Sequence, residues 1–388
     1  MRIAYVCTDP GIPVFGCKGA SVHIQAVLRV LARQGAELHL LTPRVGGAAP
    51  AELAGVHVHE LAMDDSPDAA GRERASQRLD AQVAAVLTEL ARARRLDLVY
   101  ERYALWGRSA SQWAAAHRVP HLLEVNAPLV DEQARHRTLV DRAGAERVAR
   151  EAISCSGTVV CVSEPVQRWA RSRTDRPERV HTLANGVDTT RIVPATLPPA
   201  EEPFTIGFVG TLKPWHGVEQ LLAAVGLLAG VDPSYRLLLV GDGPQAEVLR
   251  EQARAAGITA NVEMTGAVAP HDVPGLLQQM HVAVAPYPKT EQFYFSPLKV
   301  YEYLAAGLPI VATRVGSLPD ALDDGLLGVL VEPGDPAALA TAIAGLRAAP
   351  RRRAELGAAA RTAAVQQHDW TGVVARALAL TEVSDGVG

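Results

Sequence analysis

Lys299 and Glu302 stand three residues apart in Ser296-Pro297-Leu298-Lys299-Val300-Tyr301-Glu302-Tyr303-Leu304-Ala305-Ala306-Gly307, a run whose punctuation specifies one short helix at both ends. Serine is a capping residue, proline suits the first helical position, and glycine followed by Pro309 closes the element. Leu298, Tyr301, Leu304 and Ala305 recur at helical spacing as a buried stripe, which leaves Lys299 and Glu302 together on the opposite edge. A cation in the first turn opposes the helix dipole by some tenths of a kcal/mol, unless an anion there uses both the ammonium and the free backbone N–H groups. The run therefore reads as a phosphate seat, with Glu302 one turn on to accept hydrogen bonds from hydroxyls of the same ligand. Its rival is a surface Lys–Glu pair contributing almost nothing. Composition favours the first reading. Only four of 38 basic side chains are lysine, at 18, 213, 289 and 299, so an ordinary surface cation in this chain is arginine. A lysine kept against that bias points to a crowded place that needs a compact ammonium.

Other candidate residues lie in loops between a strand pattern and a helix pattern. Gly16-Cys17-Lys18-Gly19-Ala20-Ser21 lets backbone approach a ligand at a helix start, and His23 follows in the first turn. Gly210-Thr211-Leu212-Lys213-Pro214-Trp215-His216-Gly217 offers Lys213 and His216 to a bound phosphate. Gly241-Asp242-Gly243-Pro244-Gln245-Ala246 fits G-x-G-x-x-A and supports a dinucleotide oxidoreductase as an alternative. Against that, a full strand–helix unit precedes it and Pro244 removes a donor. Glu101, Arg102 and Asn126 follow apolar strand patterns and belong at a sheet's carboxyl edge. His57 and His59 share one strand face and hint faintly at metal; no Asp-x-Asp metal triplet occurs.

These residues need a scaffold of alternating strands and helices. Apolar strand patterns at 2–7, 37–42, 98–100, 121–125 and 158–162 are separated by helical ones, including 21–34, 75–94 and 130–153, and the alternation implies a parallel, doubly wound α/β sheet. Pro-rich residues 193–203 read as a linker. Beyond them the alternation restarts at 205–209, 236–240, 262–265, 282–285, 310–312 and 328–331. The expected organisation is a first Rossmann-like domain over 1–192, a second over 204–367, and a terminal helix within 368–388 packing back on the first. At 388 residues two domains are natural. A net charge of −4 without a basic tail excludes nucleic acid as a partner, and no apolar run reaches bilayer length. The expectation is a cytoplasmic monomer or homodimer without integral membrane association. Cys7, Cys17, Cys155 and Cys161 have neither metal-ligand spacing nor a disulfide pattern.

Jointly, the opening glycine loop, Asn185-Gly186-Val187-Asp188, Gly210 to Gly217, Gly241-Asp242-Gly243-Pro244, Thr265-Gly266 and Tyr294 to Gly307 resemble the family 4 retaining glycosyltransferases over nearly the whole chain. That resemblance implies a GT-B fold, two Rossmann-like domains facing across a cleft. It implies a nucleoside diphosphate sugar, UDP-linked, held mainly by the second domain, and a small hydroxyl acceptor held by the first. Glu302 matches the closing glutamate of the E-x7-E motif, which holds the ribose. Ser296, Pro297, Leu298 and Lys299 would meet the diphosphate and sugar. Gly19, Gly210, Thr211, His216, Gly241 and Gly243 would complete the donor site, with Val268 reading the base. Lys18, Glu101, Arg102 and Asn126 are the expected acceptor residues, and Lys213, Lys299, Glu302, Asn126 and His23 the expected catalytic group. No cofactor or metal is expected, and a non-catalytic sugar-nucleotide-binding protein is the other alternative. Tyr294 departs from the motif's first glutamate, Thr211 and His216 from the family's arginine and lysine, and Asn126 from a common histidine. Lys213 and Lys299 are the expected substitutes for the phosphate task.

Overall fold

Strands buried on both faces appear as nearly continuous apolar runs, and the computed structural model, which describes residues 1–197, 201–290, 293–294 and 296–385, assembles such runs into two all-parallel sheets. The first contains β1 (Arg2–Cys7), β2 (Glu37–Thr42), β3 (His57–Glu60), β4 (Leu98–Arg102), β5 (His121–Val125), β6 (Thr158–Cys161) and β7 (Val180–Thr182), in the order β3-β2-β1-β4-β5-β6-β7. The second contains β8 (Phe204–Val209), β9 (Tyr235–Val240), β10 (Val262–Met264), β11 (Val282–Ala285), β12 (Ile310–Thr313) and β13 (Val329–Val331), in the order β10-β9-β8-β11-β12-β13. Each sheet reverses direction beside its first strand, between β1 and β4 and between β8 and β11. The loops leaving those strands are where doubly wound sheets bind ligands.

The doubly wound α/β class expected from the sequence is the one found; the strand carrying His57 and His59 is β3 at one edge of the first sheet, and the structure adds β7 at the other. The helical pattern across 130–153 resolves into two helices, Leu129–His136 and Arg142–Cys155, the second capped by Asp141 on the Gly144 N–H.

The chain divides into one compact unit of 1–184, 294–296 and 370–388 and another of 185–293 and 297–369. The crossing falls at Asn185, eight positions before the stretch expected as the linker. A fixed turn explains the position: Asp188 Oδ1 accepts from the Thr190 and Arg191 N–H groups, and Val187 N donates to His368 O at 2.7 Å. Arg361 then donates to the carbonyls of Thr189, Ile192 and Ala305, tying the segment after Asn185 to the second unit. The terminal helix Trp370–Asp385 belongs to the first unit and buries Trp370, Val373, Val374 and Ala377.

In the second unit the loops after β8, β9 and β10 are laced by backbone. Gly210 N donates to Val240 O at 2.9 Å, Leu212 N to Asp242 O at 2.9 Å, and Gly241 forms a bridge with Gly266. This approach requires glycine at 241: φ is +133°, and a Cβ would stand 2.2 Å from the Gly210 carbonyl oxygen. Gly241→Ala is expected to cost about 1–3 kcal/mol, because it combines backbone strain with a clash against main chain. Gly257→Ala, at φ +70° with nothing near its Cβ, carries the strain alone and should cost less. Thermal unfolding of the two variants checks the order.

Candidate functional site

Two groups of polar residues gather at the carboxyl ends of the strands, one in each unit. In the second unit the helix expected from the sequence runs Leu298–Ala305, with Pro297 at the cap position instead of the first helical one, and Gly307 closes it at φ +64°. Lys299 does not share an exposed edge with Glu302. It is 8 % exposed, because Val300, Tyr301, Tyr303 and Leu304 are buried as well and the helix is enclosed nearly all round, while Glu302 is half-buried. The amine reaches over the Phe208 ring at 3.9 Å and lies 5.2 Å from the Tyr287 ring centroid. Its Nζ has no hydrogen-bond partner among the described residues. A Cβ on Gly210 would stand 2.9 Å from that Nζ, so the glycine, at φ +143°, leaves the space the amine occupies. Burial lowers the Lys299 amine to about 7, with Glu302 pulling in the opposite direction. Glu302 is raised by burial against the lowering effects of Arg191 and Lys299.

The Gly210–Gly217 loop is fixed at its far end by Gly217, at φ +68°, where a Cβ would meet the Pro286 carbonyl oxygen at 1.9 Å. His216 Nδ1 lies 2.5 Å from the carbonyl oxygen of the exposed Thr211, to which it donates. Burial and then repulsion from Lys299, with Lys213 adding to it, outweigh that hydrogen bond and lower His216 to about 3. Its imidazole is neutral at working pH, so the cations of this loop region are Lys213, resting 5.2 Å from the Trp215 ring centroid, and Lys299. Gly243 packs on Leu212, whose carbonyl oxygen a Cβ would approach to 2.5 Å, and half-buried Val268 follows the Thr265-Gly266 turn. Ser296 and Pro297 are buried and Leu298 is half-buried at the helix start.

In the first unit the centre is Glu124, which the sequence reading passed over. Register places Cys7, Arg102 and Glu124 on one sheet face with Tyr5 and Tyr100 below them, and the helix Gly19–Arg33 brings His23 onto that face. Glu124 is 4 % exposed and accepts from Tyr100 Oη at 2.7 Å, Arg102 at 3.1 Å and the Asn126 amide. His23 Nε2 lies 2.8 Å from the same carboxylate, and the Trp370 ring meets the imidazole edge-on at 4.7 Å. Burial works to raise the Glu124 carboxyl, but His23, Arg102 and Asn126 override it and hold it well below the usual carboxylate range. An acidic residue inside the run His121-Leu122-Leu123-Glu124-Val125 was the available signal. Its partners come from positions 23, 100, 102 and 126, so spacing alone did not reveal them.

The structure brings His23, Arg102 and Asn126 together and separates Glu101 from them. Glu101 registers with Leu123 on the opposite sheet face, is 1 % exposed, and pairs with His121 at 3.1 Å. Lys18 is exposed just before the helix, its Nζ donating to Gly11 O, with Gly19 beginning the first turn. Gln25 holds this loop through the carbonyls of Val14 and Gly16, and Ser21 through that of Pro13. Tyr294 counts with the first unit, its hydroxyl donating to Glu132 at 2.7 Å and its carbonyl accepting from Ser163 at 2.6 Å. His57 and His59 join His39 at the β3 edge, His39 Nδ1 and His59 Nε2 being 3.0 Å apart. Among the described residues no group of three or more His, Cys, Asp or Glu side chains is arranged to hold a metal ion, and no helix is long and apolar enough to cross a membrane.

Residues 18–191 match the family model described as Glycosyltransferase Family 4, and residues 203–348 the one described as Glycosyl transferases group 1. A D-inositol 3-phosphate glycosyltransferase of Geodermatophilus obscurus is 30% identical over 370 residues, covering 88% of this chain and 80% of the relative. A GDP-mannose-dependent alpha-(1-6)-phosphatidylinositol monomannoside mannosyltransferase of Mycolicibacterium smegmatis is 30% identical over 239 residues, 58% of this chain and 62% of that one. Among solved structures, a sucrose-phosphate synthase from Thermosynechococcus elongatus superposes with a TM-score of 0.76 at 19% identity, covering 100% of both chains. HepE of Anabaena, solved with UDP and glucose, superposes with a TM-score of 0.71 at 21% identity, covering 99% of this chain and 100% of its own.

Glu124→Ala is expected to cost about 3–5 kcal/mol, because Arg102 and Tyr100 lose a buried acceptor together. The carboxylate's contribution is present above the ordinary carboxylate pKa and fades as pH falls through and below it, since the folded form resists protonation. The stability gap between wild type and Glu124→Ala, followed by urea unfolding from pH 7 to pH 3, should therefore narrow.

Proposed function

The chain belongs to glycosyltransferase family 4 and is a sugar-transferring enzyme, and from that premise we propose that it moves a hexosyl or N-acetylhexosaminyl unit from a UDP-linked donor, with retention, to a hydroxyl of a small polar acceptor such as a cyclitol or aminocyclitol. The observation that carries the donor side is Lys299: a buried amine with no hydrogen-bond partner among the described residues, beside a glycine-laced backbone edge and one turn from Glu302. An arriving diphosphate supplies the anion that this position lacks. Glu302 takes the ribose hydroxyls and Val268 the base. Lys213, with the backbone at Gly210, Thr211, Gly241 and Gly243, borders the phosphates. His216, neutral and already donating to Thr211 O, orients the loop and leaves the charge to the two lysines.

In the proposed reaction the C1–O bond to the diphosphate breaks, and the bonding electrons leave on the phosphate oxygen. The acceptor oxygen forms its bond to C1 from the same face and passes its proton to that phosphate oxygen. No protein base is required. Ammonium groups placed where the negative charge grows are worth about 3 kcal/mol for each well-aimed donor. On the acceptor side, Arg102, Asn126 and His23 form one group through Glu124, and that common anchor supports reading them as a unit. Support for a cyclitol acceptor comes from relatives named as D-inositol 3-phosphate glycosyltransferases. The oxidoreductase alternative loses its footing in topology: Gly241–Ala246 follows β9, and a dinucleotide fingerprint belongs after the first strand of its unit, here β8.

A panel of UDP-, GDP- and ADP-sugars against cyclitol and aminocyclitol acceptors, followed by nucleotide release and product mass, tests the reading. UDP release with a glycosylated cyclitol is the expected outcome; turnover with GDP- or ADP-sugars alone overturns the donor assignment. Lys299→Ala and Lys213→Ala should each lower turnover at least tenfold with the fold intact by circular dichroism, and unchanged rates would remove the lysines from the phosphate task.

A further inference from the structure

Lys299 raises a question that its role as an anion anchor does not answer: in what protonation state does it wait? Among the described residues the groups near its Nζ come from three elements. Its own helix supplies Glu302 and Tyr303, whose hydroxyl is engaged with the Val209 N–H at 2.8 Å. The Gly210–Gly217 loop supplies His216, which is uncharged, and Lys213, which is a like charge. The segment after β11 supplies Tyr287, held as a neutral phenol by burial. Glu302 is itself shared with Arg191. Among the described residues the amine has no hydrogen-bond partner, and Gly210, whose Cβ would stand 2.9 Å from Nζ, leaves the room that the amine occupies.

We propose that donor binding is coupled to proton uptake at Lys299: the buried amine, which has no hydrogen-bond partner among the described residues, takes one proton from solvent as the diphosphate arrives. The inference rests on the donor reading above. The proton forms an N–H bond on Nζ, and nothing is oxidised or transferred besides it. A lone buried ammonium is disfavoured without a counter-ion, and a diphosphate is that counter-ion, so filling the site and charging the amine are one event. Burial lowers the amine to about 7, which puts the coupling within the working range. The sign follows from linkage: below 7 the amine is already charged and binding takes up nothing; above 7 each binding event must also capture a proton, and affinity falls by about tenfold per pH unit. The terminal phosphate of a nucleoside diphosphate loses its last proton near pH 6, so it does not account for a loss above pH 7.

The four lysines make the test direct, because 13C-ε-lysine labelling of the whole chain gives four side-chain signals. Lys299→Arg assigns the Lys299 signal; should that variant not fold, Lys18→Arg, Lys213→Arg and Lys289→Arg assign it by elimination. In the free protein the signal is expected to titrate near pH 7, and on adding UDP to remain in its charged position to pH 9. Calorimetry at pH 8 in buffers of different ionisation enthalpy should then report uptake approaching one proton per UDP. A Lys299 signal that moves only above pH 9 in the free protein overturns the proposal. So does one that titrates near 7 but ignores UDP, GDP and ADP while calorimetry shows a nucleotide binding, an outcome that leaves a diphosphate donor in place at another anchor. Absence of binding by all three nucleotides removes the donor reading, and the coupling falls with it.

Discussion

The constraint on which the second unit depends is an amine withdrawn from water that has no hydrogen-bond partner among the described residues, with Glu302 acting on it through its charge. An isolated buried ammonium costs several kcal/mol after the surroundings relax, and it persists where other forces over-determine its position. Lys299 is placed by a helix whose remaining faces are packed, by the Phe208 ring beneath it, and by glycines that let the strand-end loops approach one another closely. The same crowding accounts for the neutral imidazole of His216, which burial first and then repulsion from Lys299 and Lys213 keep uncharged. A compact ammonium fits this arrangement. A planar, always-charged guanidinium does not, which gives a physical reason for lysine in a chain that elsewhere uses arginine.

The first unit solves the opposite problem. Glu124 is as deeply buried as Lys299, yet a phenol, a guanidinium and an amide donate to it, and the His23 imidazole lies 2.8 Å away. A fully satisfied buried charge gives rigidity and fixes the side chains around it. An unsatisfied one marks a place completed by something else. The carboxylate thus acts as a positioning group for Arg102, Asn126 and His23, whereas the Lys299 amine has no hydrogen-bond partner among the described residues. Trp370, contributed from the far end of the chain, lies against His23, so the terminal helix takes part in the packing behind this group.

The departures from the family pattern gain meaning from these surroundings. Tyr294, where a glutamate is usual, donates to Glu132 and counts with the first unit, so the position is used for packing within that unit. Glu101 and Arg102, adjacent in sequence, point to opposite faces of one strand; only Arg102 joins Glu124, because successive side chains of a strand alternate.

By itself the sequence determined the repeated strand–helix alternation, hence two parallel doubly wound sheets, the glycine-containing loops at their carboxyl ends, the short helix closed by Gly307, and the oddity of its four lysines. Those features are local: apolar periodicity, turn chemistry and composition are read within a few residues. Tertiary structure alone decided that the chain crosses between units at Asn185 and not in the Pro-rich stretch, because the deciding hydrogen bonds come from His368 and Arg361. It decided that Lys299 is buried and not on a solvated edge, since burial depends on what packs against a helix's other faces. It also made Glu124 a centre, whose partners at 23, 100, 102 and 126 meet only when β4, β5 and the first helix are laid side by side. Hydrogen bonding and desolvation act through space, and separation along the chain does not encode them.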